Sequence, residues 1–126
     1  MSGNVVHYKN SHFDYDWLND SMYIYPQDRK YKSSLMLDDI ILDMDENNKF
    51  VGIEILDASR KFKISKCKIC EPVELNVNFE TGEEGTLTLN LKMTFVKRNN
   101  PVIRTVSVTG SNEMNLSPRS TTLTLA

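Results

Sequence analysis

Apolar and polar residues alternate with a period of two along most of the chain, and this alternation predicts β-strands rather than helices. From residue 73 to residue 79 the odd-numbered positions are apolar and the even-numbered positions are polar. The same alternation runs from residue 86 to residue 95, after the turn Thr81 to Gly85. Each of these strands therefore has one apolar and one polar face, which is typical of an antiparallel hairpin with one buried side.

A third strand is predicted after the turn Asn99 to Pro101, because the alternation continues from residue 102 to residue 108 with valines on the inward face. Arg104 interrupts that inward row. Either this strand lies at an edge of the sheet, or a bulge shifts its register. The composition of Ser111 to Arg119 predicts a loop, and Thr121 to Leu125 is expected to form a last short strand.

The first half of the chain contains three further predicted strands, at Phe13 to Tyr15, Met22 to Tyr25 and Lys32 to Leu37. Sustained apolar spacing of the helical kind is absent, so few helices are expected. The exception is Asp57 to Phe62, which is predicted to form one helical turn with Asp57 as its cap.

A β-hairpin is predicted between residues 40 and 56, with strands at Ile40 to Asp45 and Phe50 to Leu56. Asn47 and Asn48 lie between the strands, and asparagine tolerates the positive φ that both central positions of a type I′ turn require. The sequence therefore predicts a tight two-residue turn at these asparagines.

This turn fixes the register of the hairpin and assigns its side chains to two faces. The predicted pairs are Asp45 with Phe50, Met44 with Val51, Asp43 with Gly52 and Leu42 with Ile53. The apolar side chains then share one face: Ile40, Leu42, Met44, Val51, Ile53 and Ile55. Asp43, Asp45 and Glu54 share the opposite face.

The strand pattern predicts a mainly β fold, in which antiparallel hairpins or a meander form a two-layer sheet or sandwich with at most one or two short helical turns. The 126 residues are sufficient for a single domain with its own core. Within it, residues 73–126 are expected to form a β-rich extension that packs on residues 13–59 or on a second copy.

Composition and charge narrow the class of protein. Hydrophobic residues make up 40% of the chain and charged residues 25%, which is ordinary for a globular protein. The net charge of −2 argues against general binding to nucleic acid or to acidic membranes. There is no apolar run long enough to span a bilayer and no signal-peptide pattern. We therefore expect a cytoplasmic protein that requires no cofactor.

Acidic residues of the hairpin have the spacing of an EF-hand calcium loop, with Asp43, Asp45, Asn47 and Glu54 at positions 1, 3, 5 and 12. The glycine that such a loop requires is replaced by Asn48, and its flanks are strands rather than helices. A solvated acidic face is the favoured interpretation. The alternative is a site in which Asp43, Asp45 and Glu54 bind a divalent cation.

Two aspartates flank the junction between the first two predicted strands of the first half, Asp16 and Asp20. Aspartates at such junctions usually form Asx turns, in which the carboxylate binds nearby backbone amides. A pair of carboxylates could instead bind a cation or a partner, or perform acid–base chemistry if their environments separated their pKa values.

Cys67 and Cys70 form a lone C-x-x-C pair, whereas a four-cysteine zinc site needs a second pair that only another chain could supply. Ordinary thiols are therefore expected. The region around Phe62 is rich in cations: Arg60, Lys61, Lys63, Lys66 and Lys68. In an acidic chain these favour a solvated or ion-paired segment over an RNA site.

The aromatic and imidazole side chains suggest no catalytic site. His7 and His12 have no acid or cysteine beside them at ligand spacing and are expected to be exposed. Trp17, with Tyr15, Tyr23 and Tyr25, is expected in the core rather than on a base-stacking surface.

Two segments carry a family resemblance, Y-D-W-L-N-D-S-M-Y-I from Tyr15 to Ile24 and the hairpin that ends in G-I-E-I-L-D-A-S at Ser59. In order, spacing and residue type they resemble Domain of Unknown Function family 2283, small prokaryotic proteins without an established activity. The resemblance covers residues 13–59. It departs at Asn48, where the family has glycine, and at Ser21.

Two functions are compatible with these observations. The first is a non-enzymatic interaction or self-assembly module, a homodimer or a partner of an unidentified protein. The alternative is a cation-dependent site or enzyme built on carboxylates that would have to converge: Asp16, Asp20, Asp43, Asp45 and Glu54. The first is favoured because the sequence nominates no catalytic constellation.

Overall fold

The alternating segments form ten strands in the computed structural model, which describes residues 4–26, 33–47, 49–82, 84–113, 116 and 119–125. The strands are β1 (Asn4–Tyr8), β2 (His12–Asp16), β3 (Ser21–Tyr25), β4 (Ser33–Leu37), β5 (Ile40–Met44), β6 (Phe50–Ile55), β7 (Glu74–Thr81), β8 (Thr86–Lys97), β9 (Asn100–Ser111) and β10 (Arg119–Thr124). Two short helices, α1 (Ala58–Phe62) and α2 (Lys66–Ile69), connect β6 to β7. The mainly β prediction is confirmed.

The strands make two five-stranded sheets. The first sheet has the order β2-β3-β6-β5-β4, and the second sheet has the order β1-β10-β7-β8-β9. All neighbours are antiparallel except β1 and β10, which are parallel. The sequence did not predict β1, because this short strand finds its partner at the other end of the chain, where no local pattern marks the pairing.

The β5–β6 hairpin confirms the predicted pairs Leu42–Ile53 and Asp43–Gly52, and corrects the pairs nearer the turn. Met44 lies opposite Phe50 instead of Val51, so that the register shifts by one residue and Val51 forms a bulge. The six apolar residues assigned to the inner face are all buried. The bulge adds the ring of Phe50 to that face.

The side chain of Asp45 explains why the register near the turn differs from the predicted one. Oδ1 of Asp45 accepts hydrogen bonds from the backbone N–H of Asn47 at 2.8 Å and of Lys49 at 3.0 Å. The backbone N–H of Asp45 donates to the carbonyl of Lys49 at 2.9 Å, so Asp45 pairs with Lys49 and not with Phe50. The predicted two-residue turn includes Asn48, which lies outside the described residues.

Arg104 lies in β9, for which the sequence left two alternatives, an edge position or a bulge. β9 lies at an edge of the second sheet. β9 pairs with β8 alone, in one register from end to end. The turn between them is Arg98–Asn99, with φ of 52° and 63°, as a type I′ turn requires. Asn100 and Pro101, predicted as part of the turn, already belong to β9.

The helix predicted at residues 57–62 is present as α1, but its predicted cap is wrong. Asp57 has a left-handed backbone (φ 52°) and its side chain makes no capping hydrogen bond. Lys63 is also left-handed and ends the helix. The single turn α2 was not predicted, because its basic sequence has no helical apolar stripe. No helix among the described residues is long and apolar enough to cross a membrane.

The core lies between the two sheets and continues around the helices. Phe50 of the first sheet packs against Phe79 of the second, with ring centroids 5.0 Å apart. Phe62 and Ile69 bring both helices into the same cluster of buried side chains. Gly110 lies directly against the side chain of Leu37, and a Cβ at this position would collide with it. Both helices thereby join the core, and the edge strands β4 and β9 contact each other across the two sheets.

Candidate functional site

A group of three polar side chains joins the β2–β3 turn to the start of α1. The hydroxyl of Tyr15 donates to Oδ1 of Asp20 at 2.6 Å, and the hydroxyl of Ser59 donates to Oδ2 at 2.6 Å. The backbone N–H of Ser59 also donates to the same carboxylate, at 3.0 Å from Oδ1. We call Tyr15, Asp20 and Ser59 the Asp20 cluster.

The backbone of Asp20 strengthens this connection. Its carbonyl accepts the N–H of Ala58 at 2.9 Å, and its φ of 52° turns both the carbonyl and the carboxylate toward α1. The first N–H groups of a helix lack partners within the helix. Asp20 therefore provides the cap that Asp57 does not, from a position 39 residues away from Ser59 in the chain.

The electrostatics of the Asp20 cluster suit a structural role. Burial raises the pKa of Asp20, but the hydrogen bonds from Ser59 and Tyr15 outweigh it and hold the pKa below its ordinary value. Burial and the hydrogen bond to Asp20 raise the pKa of Tyr15 well above 10.0. A general acid or base works best with a pKa near the operating pH. Both shifts move the pKa away from neutral pH, so that Asp20 stays charged and Tyr15 stays protonated there.

Alkaline titration is expected to destabilise the protein through two tyrosines. Burial and a hydrogen bond to Glu54 raise the pKa of Tyr23, as burial and Asp20 do for Tyr15. A raised pKa gives stability that is complete below the unfolded value of 10.0 and is lost as pH rises above it. Thermal unfolding followed from pH 8 to about pH 12 should show this loss, and Tyr15→Phe should reduce it. An unchanged pH profile in Tyr15→Phe would contradict the assignment.

Asp16 forms a local turn rather than part of the Asp20 cluster. Its carboxylate accepts the backbone N–H groups of Leu18 and Asn19 at 3.1 and 3.2 Å and the side-chain amide of Asn19 at 2.7 Å. The bond from the Asn19 side chain, followed by that from its backbone, lowers the pKa of Asp16. This is an Asx turn, and it holds Trp17 and Leu18 at the tip of the loop.

The hairpin carboxylates also have separate partners. Oδ1 of Asp43 accepts the hydroxyl of Ser34 at 3.2 Å, Asp45 binds its own turn, and Glu54 binds Tyr23. Over the part of the chain that the structure describes, no three His, Cys, Asp or Glu side chains are grouped so that they could hold a metal ion. The five carboxylates therefore do not form one site there.

The basic segment fastens the helices to their surroundings. The ammonium of Lys66 donates to the carbonyl of Trp17 at 3.0 Å, and that of Lys68 donates to the carbonyl of Val96 at 3.0 Å. Lys61 forms an ion pair with Asp39 at 3.2 Å. Three of the five cations thus have partners among the described residues: one forms an ion pair, and two donate to backbone carbonyls.

Trp17 corrects one prediction, because its side chain is 47% exposed and not in the core. It lines an open cavity of about 580 Å³ beside α2, together with Val73, Val96, Cys67 and Cys70. Both thiols are free and exposed. His12 stacks on Tyr25 with ring centroids 5.3 Å apart, and His7 contacts Thr124 through Nε2 at 3.1 Å. Among the described residues, neither histidine belongs to a group of three His, Cys, Asp or Glu side chains that could hold a metal ion.

Among the described residues, the longest edge strand is β9. Twelve residues long, it closes the second sheet, whereas the edge strands β1, β2 and β4 have five residues each. The outward side chains of β9 are exposed, including Ile103 at 51%. No backbone hydrogen bond from another described segment reaches the outer side of the strand between Ile103 and Thr109.

The part of the chain that matches a known family coincides with the first sheet and the start of α1. The family model "Protein of unknown function (DUF2283)" matches residues 12–59, which comprise the first sheet and the start of α1. The match ends at Ser59, so that it contains all three members of the Asp20 cluster. The motif residues therefore include the connection between the first sheet and the helix that follows it.

Two archaeal proteins are similar over most of the chain. A Methanosarcina mazei protein named "Putative hypoxanthine phosphoribosyltransferase" is 40% identical over 104 residues, 82% of this chain and 84% of that protein. An uncharacterised protein of Methanocaldococcus jannaschii is 38% identical over 106 residues, 82% of this chain and 89% of that protein. No solved structure matches the chain.

Proposed function

This chain belongs to the family of these two archaeal proteins and carries a DUF2283 domain at residues 12–59, and from this premise we propose that it is a non-enzymatic module that acts by association, in the first place with a second copy of itself. The observation that carries the proposal is the open edge of β9. A long, regular edge strand is a ready template for another strand.

Monomeric proteins usually protect such edges with charges, prolines, bulges or a covering segment. β9 has one charged residue, Arg104, whose guanidinium lies 5.9 Å from the ring of Phe95 and donates to the carbonyl of Ile103 at 3.3 Å. It has one proline, Pro101, at its second position, and its register with β8 shows no bulge. Valine, isoleucine and threonine dominate the remainder, and these residues favour strands. The protection is slight for an edge of this length.

The outer face of the second sheet supports association as well. Asn78 donates to Ser120 at 3.1 Å and to Thr122 at 3.0 Å, and Ser107 donates to Asn90 at 2.7 Å. These uncharged side chains form a row across neighbouring strands. A sheet surface of this kind does not repel a second copy, as a row of like charges would.

Sedimentation is expected to show a dimer. At micromolar concentration the protein should sediment at about twice the 14.5 kDa mass of the chain, since symmetric pairs are the commonest oligomers. A monomer that persists to about 100 micromolar would contradict self-association, because it would imply a free energy weaker than about −5.5 kcal/mol.

The name of the Methanosarcina relative raises a second candidate, transfer of a phosphoribosyl group to hypoxanthine. The sequence identity of 40% over 104 residues is the observation in its favour. The test is direct: purified protein is incubated with hypoxanthine, a phosphoribosyl donor and Mg²⁺, and the product is measured by chromatography. Product formation that Asp20→Asn leaves intact and Asp43→Asn abolishes would place the activity on the hairpin carboxylates.

Millimolar Ca²⁺ or Mg²⁺ is expected to leave the melting temperature nearly unchanged. Asp43, Asp45 and Glu54 each have a partner of their own, so no preformed set of ligands attracts the ion. Cation binding at a hundred times Kd would add about 2.7 kcal/mol of stability. Scanning calorimetry with and without the ions measures the effect. A rise of several degrees that Asp43→Asn removes would instead support the carboxylate site.

A further inference from the structure

We propose that β9 pairs antiparallel with β9 of a second copy, with Val106 on the two-fold axis, so that the two second sheets become one continuous ten-stranded sheet. This inference rests on the proposed self-association and specifies its interface. It follows from the direction of the backbone groups of β9. It also follows from the N–H that Pro101 lacks and from the carbonyl of Ser111, which already accepts a hydrogen bond.

The backbone groups of β9 that do not bond to β8 are those of its odd-numbered residues. The N–H of Asn112 donates to the carbonyl of Gly85 at 2.9 Å, and this pair continues the β8–β9 register. Bonded pairs alternate along an antiparallel ladder, so the even-numbered residues of β9 bond to β8. The N–H and C=O groups of the odd-numbered residues therefore face away from β8: Ile103, Thr105, Ser107 and Thr109.

At each end of this edge, one backbone group is not available for pairing with another strand. Pro101 has no N–H to donate. The carbonyl of Ser111 already accepts the N–H of Glu113 at 3.0 Å. In a bonded antiparallel pair each residue donates to the carbonyl of the other. If Pro101 lies opposite Ser111 of the second copy, the missing donor and the occupied acceptor coincide.

That coincidence selects one register. It places Val106 on the axis and pairs Ile103 with Thr109 and Thr105 with Ser107. Nη1 of Arg104 donates to the carbonyl of Ile103 at 3.3 Å, and this side chain would have to release the carbonyl in each of the registers compared, so it does not distinguish them. An axis at Thr105 would put Pro101 opposite Thr109 and leave one acceptor without a donor. An axis at Ser107 would put Ile103 opposite the occupied carbonyl of Ser111. Among the three neighbouring registers, only the one centred on Val106 places the missing donor of Pro101 opposite the backbone carbonyl that already has a backbone donor.

Charge favours the same register. With Val106 on the axis, Arg104 lies opposite Val108, and the two Arg104 residues are separated along the strands by four residues, roughly 14 Å. An axis at Thr105 would bring them to roughly half that distance along the strands, where like charges repel more strongly. Edge pairing with an unrelated strand would have no such internal selection of register, and for this reason we assign the edge to a second copy.

The polar row on the outer face also continues across the axis. In the second sheet Thr122 lies opposite Asn78, Asn78 opposite Asn90, and Asn90 opposite Ser107. The proposed register places Thr105 of the second copy next in this row. The hydroxyl groups of Ser107 and Thr105 would then extend the row of side-chain hydrogen bonds without a charged residue at the junction.

Disulfide trapping tests the register in the full chain. In a Cys67→Ser, Cys70→Ser background, Val106→Cys places the two thiols on the axis as a non-hydrogen-bonded pair, about 4.5 Å apart at Cα and within disulfide range. Mild oxidation should convert most of the chain to a covalent dimer on a non-reducing gel. The matched control is Val102→Cys, whose predicted neighbour is Gly110, and it should remain uncrosslinked.

A second variant guards against a folding defect at half-buried Val106. Thr105→Cys together with Ser107→Cys changes exposed positions and should crosslink in the same background, whereas either change alone should not. A dimer by sedimentation that neither variant traps would refute this interface and leave self-association standing. Efficient trapping at Val102→Cys would refute the register, and a monomer at about 100 micromolar would refute both proposals.

Discussion

Replacing Ile53 with alanine is expected to lower the free energy of unfolding by about 2–4 kcal/mol. The side chain of Ile53 is 1% exposed and lies opposite Leu42 in the centre of the first sheet. Its removal takes apolar contacts from the core and leaves a cavity that neighbouring strands of a hydrogen-bonded sheet fill only in part. Urea denaturation at one protein concentration measures the change.

The control for Ile53 is Leu18→Ala, since Leu18 is a side chain of the same size that is 89% exposed at the tip of the β2–β3 turn. Its stability should change by less than about 0.5 kcal/mol. If Ile53→Ala fell within that same small range, the inward face of the hairpin would have been assigned the wrong way round.

The period of two in the sequence was sufficient to predict most strands and the inward face of each. The reason is physical: a strand that buries one face must alternate, so burial is written into the local sequence. The edge position of β9 was also partly predictable, because Arg104 on an inward row is compatible with an edge. The register of the β5–β6 hairpin was predictable only as far as Asp43. Beyond it, the side chain of Asp45 binds the turn amides and competes with the ladder.

The Asp20 cluster could not be predicted from the sequence. Asp20 and Ser59 are 39 residues apart, and no spacing rule connects a turn aspartate with a helix that begins after a different hairpin. Local reasoning assigned the cap of α1 to Asp57, which is the nearest suitable residue. The available signal was that Tyr15, Asp20 and Ser59 all belong to the segments that carry the family resemblance, but such a pattern does not say which of its residues touch.

The structure gives those motif residues a role without invoking a reaction. Asp20 joins the β2–β3 turn to α1, and α1 leads into the basic segment whose lysines bind carbonyls of both halves of the molecule. The first sheet is thereby held to the element that connects it to the second sheet. On our proposal the second sheet provides the contact surface, and the DUF2283 segment provides the layer on which that sheet is supported.

Asp20→Asn is expected to destabilise the protein by about 2–4 kcal/mol, because hydrogen bonds to a charged group contribute about 1.5–3 kcal/mol each and the amide keeps only part of them. Asparagine tolerates a positive φ, so the backbone at this position is not strained by the change. The variant therefore isolates the carboxylate that receives Tyr15 and Ser59. Chemical denaturation at pH 7 measures the loss, and Asp16→Asn, in a turn that is more exposed, should lose less.

The pH dependence distinguishes this role from a general loss of packing. The pKa of Asp20 is depressed in the folded protein, so its contribution is complete above the ordinary aspartate pKa of about 4 and is lost as pH falls below it. The difference between the wild type and Asp20→Asn should therefore shrink under acid conditions. Ser59→Ala should cost less in the Asp20→Asn background than in the wild type, since the two side chains share a bond of 2.6 Å. Additive losses, or a difference that stays constant with pH, would mean that the carboxylate does not hold α1 in place.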